Sequence, residues 1–234
     1  NKVLVSITPK NGNDIVLNLF NKSFEANRFD WVTYLSATSV YGDKKGDWVN
    51  EQTIPGVSSQ GFTEQFPLDG ARSIYGTTKL ASEFFVQEYV DMYGLQAVIN
   101  RCGVITGPWQ FGKVDQGVVV FWIAKHFWKQ KLSYIGYGGT GKQVRDVLHV
   151  DDLYDLLLLQ LNDMEPHSGQ IYNVGGGREI SISLLELTAL CEKYTGNRIE
   201  IQQISEDRPS DIRVYLTDYF KITQAQGWQP KRKL

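Results

Sequence analysis

The chain has 234 residues, 42% of them hydrophobic, with 24 basic and 26 acidic side chains and a formal net charge of -2. That is enough apolar material for one substantial core, as a single domain or a domain with a smaller lobe. The interspersed charges leave no basic footprint for nucleic acid, no apolar run reaches membrane-spanning length, and two distant cysteines, Cys102 and Cys191, make neither a disulfide framework nor a zinc motif. A reducing, cytoplasmic setting is therefore expected.

Lys2 to Ile7 is a short apolar run closed by Thr8-Pro9, which predicts a buried strand, and residues 13–24 read as a helix. Trp31 to Ser36 predicts a second strand, followed by a cluster of hydroxyls, Ser36, Thr38 and Ser39. Residues 42–72, rich in Gly, Asp, Ser and Pro, form a long irregular connection of the kind that usually carries function. From Ser73, apolar residues recur at helical intervals, among them Leu80, Ala81, Phe84, Val86 and Val90, up to a stop at Gly94. Gln96 to Cys102 predicts a strand, residues 103–117 a loop, and an apolar helix follows to about Gln130. A short strand near Leu132 to Ile135 precedes Gly136 to Gly141, which reads as a flexible hairpin, not a phosphate cradle, since no Gly-Lys-Ser/Thr follows.

Val144 to Val150 leads into Asp151-Asp152, acidic residues suited to a helix start, and a helix through Leu161. A strand at Gln170 to Val174, three glycines, a helix from about Ser183 to Tyr194 and a strand near Ile199 to Ile201 complete a second lobe. Alternating strands and helices predict an α/β fold on a parallel sheet, whose ligands bind outside the carboxyl ends of the strands. Ser36, Thr38 and Ser39 sit at one such end, and Cys102 to Val104 at another.

Tyr75 and Lys79 lie four residues apart on the helix that starts after Ser73, so they share one face. An ammonium beside a phenol favours the phenolate, and a phenol tuned that way works as a general base. Spacing alone is weak evidence, because with 12 tyrosines about one match arises by chance. Tyr41 and Lys45 are such a match, but Gly42-Asp43 between them breaks helical geometry. His149 falls in a buried-looking strand and reads as structural, while His126 and His167 lack ligand company, so no metal is expected.

The ordered set Val40-Tyr-Gly42, Tyr75/Lys79, Arg101 to Pro108, Val144-Arg-Asp146 to Asp152, Asn173-Val-Gly-Gly-Gly177 and Arg208-Pro-Ser-Asp211 resembles the extended short-chain dehydrogenase/reductase superfamily, specifically its nucleotide-sugar epimerases and dehydratases. From Pro55 onward the chain looks closest to the CDP-paratose 2-epimerase (CDP-tyvelose epimerase) branch; residues 1–54 are more similar to atypical, single-domain members. The resemblance implies a Rossmann-like parallel sheet with a smaller α/β substrate-binding lobe. Residues 1–110 would be a partial dinucleotide-binding region and 111–234 mainly the lobe, with 142–165, and in one reading 170–177, returning to the Rossmann core. It also sets Lys2 to Ile7 at the family's fourth strand, with the first three and their Gly-x-x-Gly-x-x-Gly loop missing, so a longer natural polypeptide is expected.

The implied cofactor is NAD and the implied substrate a nucleotide-diphosphate sugar, with inversion of a CDP-sugar at C2. By resemblance, Tyr75 is the base and Lys79 lowers its pKa and holds the nicotinamide ribose. The usual third member is a Ser or Thr, but Ala37 stands there; Thr38, the candidate retained, or Ser36 reaches the place only after a slight backbone shift. Cofactor contacts are implied for Ser6, Ile7, Ser36, Ala37, Tyr75, Lys79, Cys102, Gly103 and Val104. Phe111, Asp115 and Gln116 would shape the sugar and base pocket, and Arg145 and Arg208 would contact the diphosphate, the alternative being ion pairs with neighbours such as Asp146 and Asp211. Thr38 and Ser39 occupy the place of the dehydratases' Asp-Glu pair, which disfavours dehydration. A reductase or dehydrogenase with the same Tyr/Lys pair, and a catalytically weak dinucleotide-binding sensor or scaffold, are the alternatives. The family also implies a homodimer through the Tyr75 helix.

Overall fold

The computed structural model describes residues 2–5, 31–41, 56–70, 73–112, 116–208 and 211–234. The helix expected over 13–24 lies outside these residues. β1 (Lys2–Val5) runs parallel to β2 (Trp31–Ala37), in register from Lys2↔Trp31 to Val5↔Tyr34. β2 passes directly into a 3-10 turn, Thr38–Tyr41. The hairpin β3 (Val57–Ser58) and β4 (Gly61–Phe62) follows, then α1 (Ile74–Tyr93), β5 (Ala97–Cys102) and β6 (Val104–Thr106). Next come α2 (Val118–Phe127), β7 (Leu132–Ile135), β8 (Val144–His149) and α3 (Val150–Asn162). β9 (Ile171–Val174), β10 (Ser181–Ser183), α4 (Leu184–Thr195), β11 (Ile201–Ile204), β12 (Val214–Tyr215) and α5 (Phe220–Gln226) complete the described elements.

The main sheet has the order β1-β2-β5-β9 and every pairing in it is parallel. Its central strands are buried almost throughout because helices cover both faces. On one face Val32, Tyr34, Ala97 and Ile99 pack with Val86 and Val90 of α1. On the other, Trp31, Leu35, Val98 and Cys102 meet Leu153 and Leu156 of α3, Ile222 of α5 and Trp228. Two amides in this sheet-helix layer satisfy each other: Asn100 and Gln160 exchange two hydrogen bonds of 2.9 Å. α1 starts at Ser73, whose hydroxyl accepts from the Gly76 N–H at 3.2 Å, and stops at Gly94 with φ 65°. A Cβ at Gly94 would meet nothing within 4 Å, so the left-handed backbone alone favours glycine there.

The second sheet is organised on β8. β10 pairs antiparallel and β12 parallel along its first half, and β6 pairs parallel along its second half. β7 and β11 form a separate parallel pair. Trp122, Leu132, Tyr134, Val147, Leu187 and Cys191 make the core of this lobe. α4 enters through a capping box in which Ser183 and Glu186 bond each other's backbone N–H groups. His149 caps α3, its ring accepting from the Asp151 N–H at 3.1 Å.

Four sequence expectations need correction. Residues 42–72 are not irregular throughout, since Val57–Ser58 and Gly61–Phe62 pair antiparallel, and the strand expected near Ile199 to Ile201 lies at Ile201–Ile204. Residues 103–117 are not all loop, since Val104–Thr106 pair with β8. Gly136 to Gly141 is no hairpin: β7 and β8 belong to different sheets, and a compact turn carries the chain between them. Two of its glycines are held by close approach, for a Cβ on Gly139 would stand 2.9 Å from Gln203 Cβ and one on Gly141 2.7 Å from the Tyr134 ring.

Candidate active site

A cleft of about 860 Å³ opens at the carboxyl ends of β2 and β5 and continues along residues of α2, β7 and α4. Ser36, Ala37, Thr38, Tyr75, Lys79, Cys102, Gly103 and Val104 line it, so eight of the expected residues do share one space. Gln116, Arg145 and Arg208 line it as well. Phe111 does not; it is 86% exposed outside the lining. The loop turns there through Trp109, which has φ 67°. Ser6, Ile7 and Asp115 lie outside the described residues.

The capped start of α1 fixes Tyr75 in the first turn and Lys79 one turn later. Lys79 is 5% exposed; its Nζ donates to the Leu35 carbonyl at 3.1 Å and sits 5.8 Å from the Tyr75 ring centroid. It is closer, at 5.1 Å, to the Tyr34 ring. The shift at Tyr75 runs opposite to the lowering expected from Lys79. Although Tyr75 keeps 36% of its surface exposed, desolvation pushes its phenol up, and the nearby Cys102 thiol acts in the same direction. Lys79 bonds a carbonyl and lies over two ring faces, those of Tyr34 and Tyr75. Cys102 itself is buried and its thiol is pushed up to about 12 by desolvation, with Lys79 opposing.

The hydroxyl side is equally specific. Thr38 and Ser39 open the 3-10 turn and both line the cleft. Ser36 is 4% exposed, and the Oγ atoms of Ser36 and Ser39 are buried without a hydrogen-bond partner. Tyr41, the chance match, is fully buried: its Oη accepts from Arg101 at 3.0 Å and donates to Asn173 Oδ1 at 2.7 Å. Burial pushes that phenol up to about 12, so Tyr41 is a core hydrogen-bonding group. Lys45 lies outside the described residues.

Arg145 donates from Nη2 to Asp211 Oδ1 at 2.8 Å and from Nη1 to its neighbour's carbonyl, that of Val144, at 2.8 Å. Burial works against its charge and Asp211 restores part of it. Asp146 is not its partner, because successive residues of a strand point to opposite faces. Asp146 is 1% exposed, accepts from the Gly177 N–H at 3.1 Å, and is pushed up to about 6 by desolvation. The Thr217 hydroxyl lies close enough to oppose that rise, though it has no hydrogen-bonding geometry to either carboxylate oxygen. Arg208 is exposed at the cleft and forms no ion pair with Asp211.

Sequence reasoning missed other lining residues, notably Gln110, Lys125, Lys131 and Gln143. Gln110 bridges Ile105 and Thr106, and Gln143 Nε2 donates to the Ile135 carbonyl at 2.5 Å. No local pattern marks them; they meet because α2 and β7 pack beside β8. Among the described residues no group of three or more His, Cys, Asp or Glu could hold a metal ion, and no described helix is long and apolar enough to cross a membrane.

The model of the NAD dependent epimerase/dehydratase family matches residues 10–175. The chain belongs to this family. It is 34% identical over 226 residues to CDP-paratose 2-epimerase from Salmonella typhi, across 92% of this chain and 64% of that protein. It is 28% identical to dTDP-glucose 4,6-dehydratase 1 from Escherichia coli, across 85% of this chain and 53% of that one. A crystal structure of UDP-glucuronic acid 4-epimerase from Bacillus cereus, in complex with UDP-glucuronic acid and NAD, shares the fold with a TM-score of 0.70 at 24% identity, over 91% of this chain and 60% of that one. The chain thus spans between about half and two thirds of the length of these relatives. The α/β fold with parallel sheets, the epimerase/dehydratase family and NAD as that family's cofactor are as the resemblance implied. The residues present fit the nicotinamide end of NAD: the buried Ser36 hydroxyl has no protein partner, and it borders the same cleft as Tyr75 and Lys79.

Proposed function

We propose that this protein is an NAD-dependent epimerase of a nucleotide-diphosphate sugar, inverting a CDP-sugar at C2. One observation carries the reading: a single cleft is lined both by the Tyr75/Lys79 pair at the strand ends and by the guanidinium groups of Arg145 and Arg208. The first pair suits proton transfer at a sugar hydroxyl; the second suits a diphosphate, since a guanidinium fork matches that oxyanion. The 34% identity to CDP-paratose 2-epimerase supports the choice of nucleotide and sugar. In this reading residues up to about 110 serve the dinucleotide and most of the remainder forms the substrate lobe, with Gln116 at the sugar and base.

NAD, when bound, supplies the acceptor and donor of hydride at the sugar carbon. Ser36, Ala37, Tyr75, Lys79, Cys102, Gly103 and Val104 would hold it. Tyr75 Oη takes the proton from the sugar hydroxyl and later returns it. A phenol raised by burial stays protonated near neutral pH, so turnover through Tyr75 as base rises toward alkaline pH. Lys79, anchored on the Leu35 carbonyl, orients the ring side of the cleft. Thr38 supplies the hydroxyl that Ala37 lacks. Among the described lining residues the one carboxylate is Asp211, paired with Arg145, which supports epimerisation over dehydration. The exposed Ile74, Phe84 and Phe85 of α1 support a homodimer as part of this proposal.

Incubating the full-length protein with NAD and CDP-sugars and following inversion at C2 tests the reading. Tyr75→Phe is expected to lower the rate by about 100-fold or more, the scale of a lost general base. Undiminished product from that variant sinks the mechanism. Net oxidation or reduction of the sugar points to the reductase or dehydrogenase alternative. Binding of NAD without turnover points to the sensor or scaffold, which Ala37 at the usual hydroxyl position favours.

A further inference from the structure

Arg101 stands one residue before Cys102 on β5, and its guanidinium faces into the protein. Nε reaches both oxygens of the Glu83 carboxylate at 3.1 Å, and Nη2 donates to one of them at 2.7 Å. Nη1 donates to Tyr41 Oη at 3.0 Å. The chain of bonds continues from Tyr41 to Asn173 Oδ1, and from Asn173 Nδ2 to the Phe62 carbonyl at 2.9 Å. Arg101 is 3% exposed, Glu83 1%, and Tyr41 and Asn173 are fully buried. A buried ion pair is often no more stabilising than apolar side chains of the same volume, so stability is a weak reason for this one. Geometry offers a better one.

Each end of the network lands on an element that carries part of the cleft. Glu83 follows Lys79 by one helical turn and Tyr75 by two on α1. Tyr41 closes the 3-10 turn that presents Thr38 and Ser39. Arg101 adjoins Cys102 and Gly103, and all of these but Arg101 itself and Tyr41 and Glu83 line the cleft. We propose that Arg101 is a positioning residue: its planar fork locks α1 to the 3-10 turn and so sets the separation between the Tyr75 phenol and the Thr38 and Ser39 hydroxyls. The consequence for turnover rests on the proposed function, whereas the locking itself does not. A lysine would keep the charge toward Glu83 but could not serve two partners with fixed geometry. Tyr41→Phe would cut only the second arm.

The locking is tested on the full-length protein without cofactor or substrate. Cys102 follows Arg101 on β5 and is buried near Tyr75 and Lys79, the groups the network is proposed to position, and Cys191 is buried in the other lobe as an internal control. Thiol labelling of native protein, resolved by peptide mass, should speed up at Cys102 by about 10-fold or more in Tyr41→Phe and Arg101→Lys, with Cys191 unchanged, as local opening requires. Equal acceleration at both cysteines means general destabilisation and overturns the proposal; so does no acceleration at Cys102. If Arg101→Lys does not fold, Tyr41→Phe alone decides. Where C2 inversion is observed in wild type, Tyr41→Phe should lower kcat by about 10-fold and leave KM within about 2-fold, since misplacement of reacting groups acts on the chemical step. A changed KM with unchanged kcat overturns it. Absence of inversion in wild type defeats the proposed function and leaves the labelling result to stand on its own.

Discussion

Asp146 offers a direct measurement of what burial does in the second lobe. The carboxylate is 1% exposed, accepts a backbone N–H from Gly177, and has its pKa pushed from 3.8 to about 6 by desolvation. A group whose folded pKa lies above its unfolded value binds its proton more tightly in the folded state. Its contribution is therefore most favourable below pH 3.8 and declines as pH rises through about 6. From 3.8 to about 6, at about 1.4 kcal/mol per pH unit, the decline reaches about 3 kcal/mol at neutral pH. Asp146→Asn keeps the shape and an acceptor for Gly177 while removing the titration. Urea unfolding of both proteins at a series of pH values isolates the effect, because other groups cancel in the difference. The variant should gain on wild type by up to about 3 kcal/mol between pH 4 and pH 7. A difference that stays flat across that range refutes the reasoning. It would mean that Gly177 and the nearby Thr217 hydroxyl hold the charge as well as water does.

Gly141→Ala should destabilise by about 2–4 kcal/mol, since φ is 69° and the new methyl meets a Tyr134 ring already stacked on Trp122 and bonded to Thr188. Thermal or urea unfolding reads this out, and Gly94→Ala, with open space around it, should cost about 1 kcal/mol by comparison. Arg232→Ala removes a guanidinium from the buried Asp152 carboxylate, which keeps the N–H groups of Lys231 and Arg232 at 3.2 and 3.0 Å. The variant is expected to unfold at a lower urea concentration than wild type, and an unchanged midpoint would mean that the two N–H groups hold Asp152 by themselves.

The main sheet was legible because it is buried on both faces, and Val32 to Leu35 and Ala97 to Ile99 announce that by composition alone. The start of α4 was legible too, since Ser183 and Glu186 form their capping box within one turn. Partners far apart in sequence were not. Gly136 to Gly141 carries hairpin chemistry, yet whether β7 meets β8 or β11 is settled by packing of the whole lobe. At the candidate site, Tyr75 and Lys79 could be found from helical spacing, but the direction of the phenol's shift depends on burial and on the neighbouring Cys102, which local spacing does not reveal. Arg145 could be recognised as a cleft cation, while its choice of Asp211 over Asp146 follows from strand alternation. Lys125, Lys131 and Gln143 have no motif to betray them.

The exchanged amides of Asn100 and Gln160 have a consequence for how this sequence can vary. Replacing either one alone strands the donor and acceptor of the other inside the sheet-helix layer, whereas replacing both with apolar residues of similar volume can be nearly neutral. Sequence changes at these two positions are therefore coupled in the manner of a two-key lock: each permitted only once the other has turned. The same pair acts as a ruler between β5 and α3, because sliding the helix by one turn breaks both bonds at once.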